Sequence, residues 1–249
     1  MIEIAPPPNA RAGALCFADR FRGPPGMANG GFVAGSLAHS TERAVTITLK
    51  RPVPLERALR VVARAGGADL YDADLLVASS EDAELELELP AACSLEAAER
   101  ARSRFFGTTE HPFPGCFVCG SARASGDALR LFTGPLETPD TVAAPWIPEP
   151  RMCAEVGGSA ERVPAALIWS ALDCPGAWSI LFSPGIDARA IVLGRITGRV
   201  LQLPRVGEAH VVMGLRTGQE RRKHYCQTAI FDAQGATCAY AESTWIAVA

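Results

Sequence analysis

The sequence has no sustained basic run. Its longest cluster of positive charge is Arg221-Arg222-Lys223, and the formal net charge is −3. That argues against a nucleic-acid footprint. The trio reads either as a solvated turn or as a docking point for ligand phosphates. No apolar run approaches the ~20 residues of a membrane span. Ala165–Leu172 (AALIWSAL) is by length a core helix. The opening MIEIAPPPNARAG has no apolar signal-peptide segment, so a cytoplasmic location and reduced thiols are expected. There is no Gly-x-Ser-x-Gly elbow, no glycine-rich phosphate loop and no dinucleotide fingerprint. His39, His111, His210 and His224 form no metal-spaced pair. No cofactor is expected. Charged residues make up only 20% against 48% hydrophobic, the balance of an ordinary globular chain.

What is present is a repeat. Residues 45–89 and 196–246 share one order: an apolar run, a proline, a charged step, a Val-Val pair (Val61-Val62; Val211-Val212), a glycine (Gly67; Gly218), then two more strand-like runs. Each half has an apolar helix-like segment upstream, at 30–40 and 164–173. A helix followed by antiparallel strands, twice, points to two copies of one unit with a ligand groove between them.

Asn29 is a good N-cap for the first helix, and Gly30-Gly31 leave amides uncovered in its first turn. Phe32, Val33, Leu37 and Ala38 form its apolar stripe. Ser36, His39 and Ser40 are its only polar side chains. Strands are expected at about 43–50, 58–65, 69–78 and 83–89. In the last, Leu85, Leu87 and Leu89 alternate with Glu84, Glu86 and Glu88. Ser94 caps a surface helix within 91–106 that links the halves. Strands are expected at 128–133 and 141–147, and a loop at 148–163. The second core helix runs over 164–173 and closes at Pro175-Gly176. Strands follow at 189–201, 206–217, 221–232 and 236–248.

Gly30–Ser40 (GGFVAGSLAHS) with the step Lys50-Arg51-Pro52-Val53-Pro54 resembles the thioesterase-like branch of the hotdog superfamily. Cys116-Phe117-Val118-Cys119-Gly120, followed by Gly126 and Leu129-Arg130-Leu131-Phe132, resembles the lead-in of small acyl-CoA thioesterases. Ala171-Leu172-Asp173 falls where that branch carries its Leu-Asp helix. The resemblance implies an α+β double hotdog, with modules at 1–106 and 107–249. It also implies hydrolysis of an acyl-CoA or acyl-carrier thioester. The chain departs from the second branch at Pro164-Ala165-Ala166, where that branch has His-Gly-Gly.

Thioester hydrolysis needs donors for an oxyanion and a group that activates water. Gly30 and Gly31 would supply the first, and Asp173 the second as base or nucleophile. Asn29, Phe32, Leu37, Leu167, Trp169, Trp178 and Thr228 are the candidate substrate contacts. The bland alternatives stay open at this stage. Asp173 would then bond local amides in its turn, Gly30-Gly31 would be a tight helix entry, Asn29 a plain cap, and Thr228 (with Gln227) structural. Cys116-x-x-Cys119 supplies two ligands where a structural zinc site usually needs four. Nothing in the spacing demands that His111, Cys153 or Cys174 complete a site, so a packed, reduced, metal-free loop is expected. The rival functions are a non-catalytic acyl or small-ligand binder and, last, a hydratase, which would want a His beside Asp173. The expected assembly is a monomeric pseudodimer or a homodimer of chains.

Overall fold

The computed structural model describes residues 13–38 and 43–248. His39 and Ser40 lie outside these. In chain order the elements are β1 (Ala14–Cys16), α1 (Gly30–Leu37), β2 (Ala44–Leu49), β3 (Ala58–Arg64), β4 (Gly67–Asp72) and β5 (Leu75–Ala83). There follow α2 (Leu95–Arg102), β6 (Gly134–Pro135), β7 (Thr141–Trp146), α3 (Pro150–Glu155) and α4 (Ala165–Leu181). β8 (Ala190–Val200), β9 (His210–Glu220), β10 (Lys223–Phe231) and β11 (Thr237–Val248) close the chain. The strands make one antiparallel sheet in the order β1-β3-β4-β5-β2-β8-β11-β10-β9-β7-β6.

The repeat in the sequence is a repeat in space. α1-β2-β3-β4-β5 and α4-β8-β9-β10-β11 follow the same order and meet at β2 and β8. There Val45 pairs with Gly198 and Ile47 with Ile196. Thr46 and Thr197 share a hydroxyl hydrogen bond of 2.9 Å across the junction.

α4 is apolar on every side, as befits a helix enclosed by protein. All but its last residue are buried. It does not stop at Pro175 as its sequence predicts, but runs on to Leu181 with Pro175 inside it. An interior proline costs about 3 kcal/mol. Burying a side chain such as Ile180 returns on the order of 2–3 kcal/mol, and the larger Trp178 is buried in the same stretch. Burial therefore outweighs the lost backbone bond.

α1 lies along α4 through glycines one turn apart. A Cβ on Gly31 would stand 2.5 Å from Asp173 Cβ and from the Trp169 carbonyl oxygen. One on Gly35 would stand 2.5 Å from the Ala165 carbonyl oxygen. The helices can approach this closely only because neither position carries a side chain.

Three expected strands differ. The run predicted at 69–78 is two strands split by a tight turn, in which Ala73 takes φ 53°. No glycine marks that turn in the sequence. Residues 84–89 are not a strand. Leu85 is buried, with Leu87 and Leu89 packed beside it against Val211, Met213 and Phe231 on the outer face of the second half's sheet. Tyr240 donates its hydroxyl to the Leu85 carbonyl at 3.0 Å. Alternation marks which side chains are buried, and an extended segment laid over a sheet alternates without pairing. Residues 128–133 are likewise irregular, with Leu131 and Phe132 drawn into the core. In the expected loop at 148–163, Pro150 opens the short helix α3. The Ser94-capped helix forms as expected, with Ser94 accepting from the Ala97 amide at 3.2 Å. Its Ala98 and Ala101 are fully buried with Ala143 of β7.

Candidate functional site

The N-terminus of α1 abuts the middle of α4, and three polar groups meet there. Asn29 caps α1, its Oδ1 accepting from the Phe32 amide at 2.9 Å. Its Nδ2 donates to Asp173 Oδ2 at 2.8 Å, and the Gly31 amide donates to the same oxygen at 3.0 Å. Asp173 thus sits mid-helix and is bonded across to α1, not to a local turn at a helix end. Pro175-Gly176 is a stop signal in the sequence, which is why Asp173 is expected at a helix end.

Asp173 is 2% exposed, and its Oδ1 has no hydrogen-bond partner. Burial pushes its carboxyl up to about 7, against the lowering pull of the Gly31 amide and the Asn29 side chain. A carboxyl poised near neutrality suits proton transfer.

A cavity of about 350 Å³ opens beside this carboxyl. Of the residues expected at the site, Asn29, Gly30, Asp173 and Trp178 line it. The others are placed elsewhere. Gly31 lies behind the wall, against α4, with its amide given to Asp173. That leaves the Gly30 N–H as the first-turn amide without an acceptor among the described residues. Phe32 stacks on Phe21 at 4.0 Å in the core and meets Phe117 edge-on. Leu37 and Leu167 are core residues, and Trp169 lies against Gly198 of β8. Thr228 is buried on β10 with its hydroxyl unpartnered and off the cavity wall. An apolar helix stripe marks burial; it does not separate packed core from cavity lining.

The wall also holds residues that are not among the expected contacts. Lys50, Arg51 and Val53 reach the cavity from the basic-Pro-x-Pro step after β2, and Leu193 and Trp245 from β8 and β11. Lys50 and Arg51 are exposed and form no ion pair among the described residues. The step itself was the legible signal. Arg221-Arg222-Lys223, by contrast, belongs to the exposed β9–β10 connection and not to the cavity wall.

Cys116, Cys119 and Cys174 also line the cavity, with their sulfurs within 4.8 Å of one another. Hydrogen bonds from the Cys119 and Cys174 thiols pull the Cys116 thiol down, while burial pushes Cys119 up. His111 packs its ring edge-on against Trp178 at 5.1 Å, and burial holds its imidazole below the usual value.

Among the described residues, the symmetry-related position where α4 begins holds no such site. Pro164 caps α4 without a side-chain bond, and the Gly35 backbone packs onto Ala165 and Ala166.

No family model and no curated sequence matches the chain. Solved structures do. A tesB protein of Mycobacterium avium subs paratuberculosis superposes with a TM-score of 0.62 at 11% identity, covering 96% of each chain. A conserved protein of unknown function with hot dog fold from Alicyclobacillus acidocaldarius gives 0.59 at 12%, over 95% of this chain and 92% of that one. An acyl-CoA thioesterase II, TesB2, from Mycobacterium marinum gives 0.53 at 11%, over 88% of each. The fold is a double hotdog. Both helices of this double hotdog lie against one continuous sheet, and the cavity opens where the leading helix starts beside the trailing one. Among the described residues no helix is long and apolar enough to cross a membrane.

Proposed function

We propose that the protein hydrolyses an acyl-CoA or acyl-carrier thioester, in a groove between modules at residues 1–106 and 107–249. The observation that carries this reading is the free Oδ1 of Asp173. It is a buried carboxyl oxygen beside an apolar cavity, with its twin oxygen fixed by Gly31 and Asn29. Fixing one oxygen orients the other. In this reading, a water between Oδ1 and the thioester carbonyl gives its proton to Asp173 and attacks the carbonyl carbon. The oxyanion that forms is met by the Gly30 N–H at the positive end of α1. Collapse breaks the C–S bond, and the Asp173 proton passes to the departing thiolate.

Of the two glycines expected to serve the oxyanion, Gly30 keeps an amide without an acceptor among the described residues, whereas Gly31 gives its own to the carboxylate. This revises the expected pair of donors. It also gives the non-catalytic acyl binder its best support, since one N–H stabilises an oxyanion less than two. Thiol release across a panel of short, medium, long and aromatic acyl-CoAs separates the two readings. A hydrolase releases thiol, with kcat/KM rising up to roughly fourfold per added methylene (about 0.8 kcal/mol) until the cavity is full. Saturable binding with no thiol released would leave only the binder.

Lys50 and Arg51 at the cavity are the natural contacts for ligand phosphates. Replacing both with alanine is expected to raise KM for an acyl-CoA by roughly 5–30-fold, as loss of one or two kcal/mol implies. The KM for the matching acyl-pantetheine, which lacks the nucleotide phosphates, should stay level. Equal effects on both substrates would remove the two cations from phosphate recognition.

A further inference from the structure

Cys116 and Cys119 lie on the irregular lead-in between α2 and β6, and Cys174 lies on α4. They are 58 and 55 residues apart in sequence, yet the Cys116 and Cys174 sulfurs are 3.7 Å apart. All three sulfurs fall within 4.8 Å, and all three side chains are buried. A tetrahedral cation with metal–sulfur bonds of about 2.3 Å needs sulfurs roughly 3.8 Å apart. The Cys116–Cys174 pair already has that spacing, and the Cys119 sulfur lies within 4.8 Å of both.

We propose that Cys116, Cys119 and Cys174 form a tri-thiolate site for a zinc-class cation, with its fourth position turned to the cavity. The sulfur-only donor set selects borderline or soft ions over magnesium or calcium. Asn29 Nδ2 lies 3.9 Å from Cys116 Sγ and 4.0 Å from Cys174 Sγ. It is thus an amide donor aimed at sulfurs that become anionic when a metal replaces their protons. His111 is not the fourth ligand. Its Nδ1 accepts from the Phe113 amide at 2.9 Å, which leaves Nε2–H for the Cys119 carbonyl, also at 2.9 Å. Its place is to brace the loop. The fourth position then falls to water or to a small thiol entering the cavity. The ion would rivet a loop without regular structure to the core helix, forming part of the wall. The sequence could not show this. It offered one Cys pair and three residues that could extend it, His111, Cys153 and Cys174, with nothing in the spacing to select among them.

This site stands whether or not the groove hydrolyses thioesters. The test is titration of the reduced full chain with Co(II), followed by displacement with Zn(II) and elemental analysis. The expected result is one cobalt per chain, with thiolate-to-cobalt charge-transfer absorption that zinc abolishes. Cys116→Ser, Cys119→Ser and Cys174→Ser should each weaken binding by no less than the roughly 10–100-fold that even an outer-sphere partner commands. Cys16→Ser and Cys93→Ser, outside the cluster, should leave it unchanged. Substoichiometric cobalt without charge-transfer absorption in the unaltered chain would overturn the proposal. So would equal losses from the Cys16 or Cys93 variants. The unaltered chain carries the first criterion, so a variant that fails to fold does not blunt the test.

Discussion

Asp173→Asn is expected to lower thiol release by about 10²–10⁴-fold, the range a positioned acid–base group commands, while the protein still folds. Asparagine has the same shape. Its carbonyl oxygen can still accept from the Gly31 amide and the Asn29 side chain, which fix Asp173 Oδ2 at 3.0 and 2.8 Å. What is lost is the acceptor for the water's proton. The melting temperature should hold or rise, because a buried ionisable group is replaced by a neutral one. Steady-state rates with a saturating acyl-CoA and a thermal melt check both halves. Undiminished turnover would remove Asp173 from the chemistry, and the binder reading would have to explain any thiol released.

The second large effect is structural. Gly31→Ala would press a methyl group to within 2.5 Å of Asp173 Cβ and the Trp169 carbonyl oxygen. Neither is the end of a flexible side chain, so the two helices must part. Overpacking of this kind costs about 1–3 kcal/mol, which for a chain of this size lowers Tm on the order of 2–12 °C. It should also abolish activity, since the carboxylate loses the amide that aims it. Gly35→Ala is the matched control. It meets the Ala165 carbonyl oxygen at 2.5 Å, one turn along the same seam and away from the carboxylate. A similar fall in Tm is expected there, with a smaller loss of turnover per folded molecule. Equal losses of specific activity would mean that helix separation alone silences the site. Differential scanning calorimetry and rates normalised to folded protein separate the two.

Much of the fold was legible because burial leaves a periodic trace. The Val-Val pairs fell in the corresponding strands β3 and β9, although Gly67 opens β4 while Gly218 lies inside β9, and Asn29 and Ser94 capped helices as their chemistry predicts. The trace failed where burial and pairing part company. Leu85, Leu87 and Leu89 alternate over a sheet face without joining it. It failed again where propensity met enclosure, since Pro175 continues inside α4. That second error had consequences for the site. It put Asp173 at a helix end instead of mid-helix, where it faces α1. The composite of Asn29, Gly30, Gly31 and Asp173 could be assembled on paper because each residue carries a local signature. Which apolar side chains face open space could not. Phe32, Leu37, Leu167 and Trp169 look like lining in a helical stripe, and only the packing of one helix on the other decides that they are core.

The junction between β2 and β8 bears on how this chain is made. Thr46 and Thr197, joined there, are 151 residues apart. At a synthesis rate of roughly 5–20 residues per second, the leading strand leaves the ribosome on the order of ten seconds before its partner exists. Throughout that interval its backbone donors and acceptors stay unpaired along one open margin. A nascent chain in that state is a template for stray strands, its own sister chains included, and the trailing half must emerge to seal it.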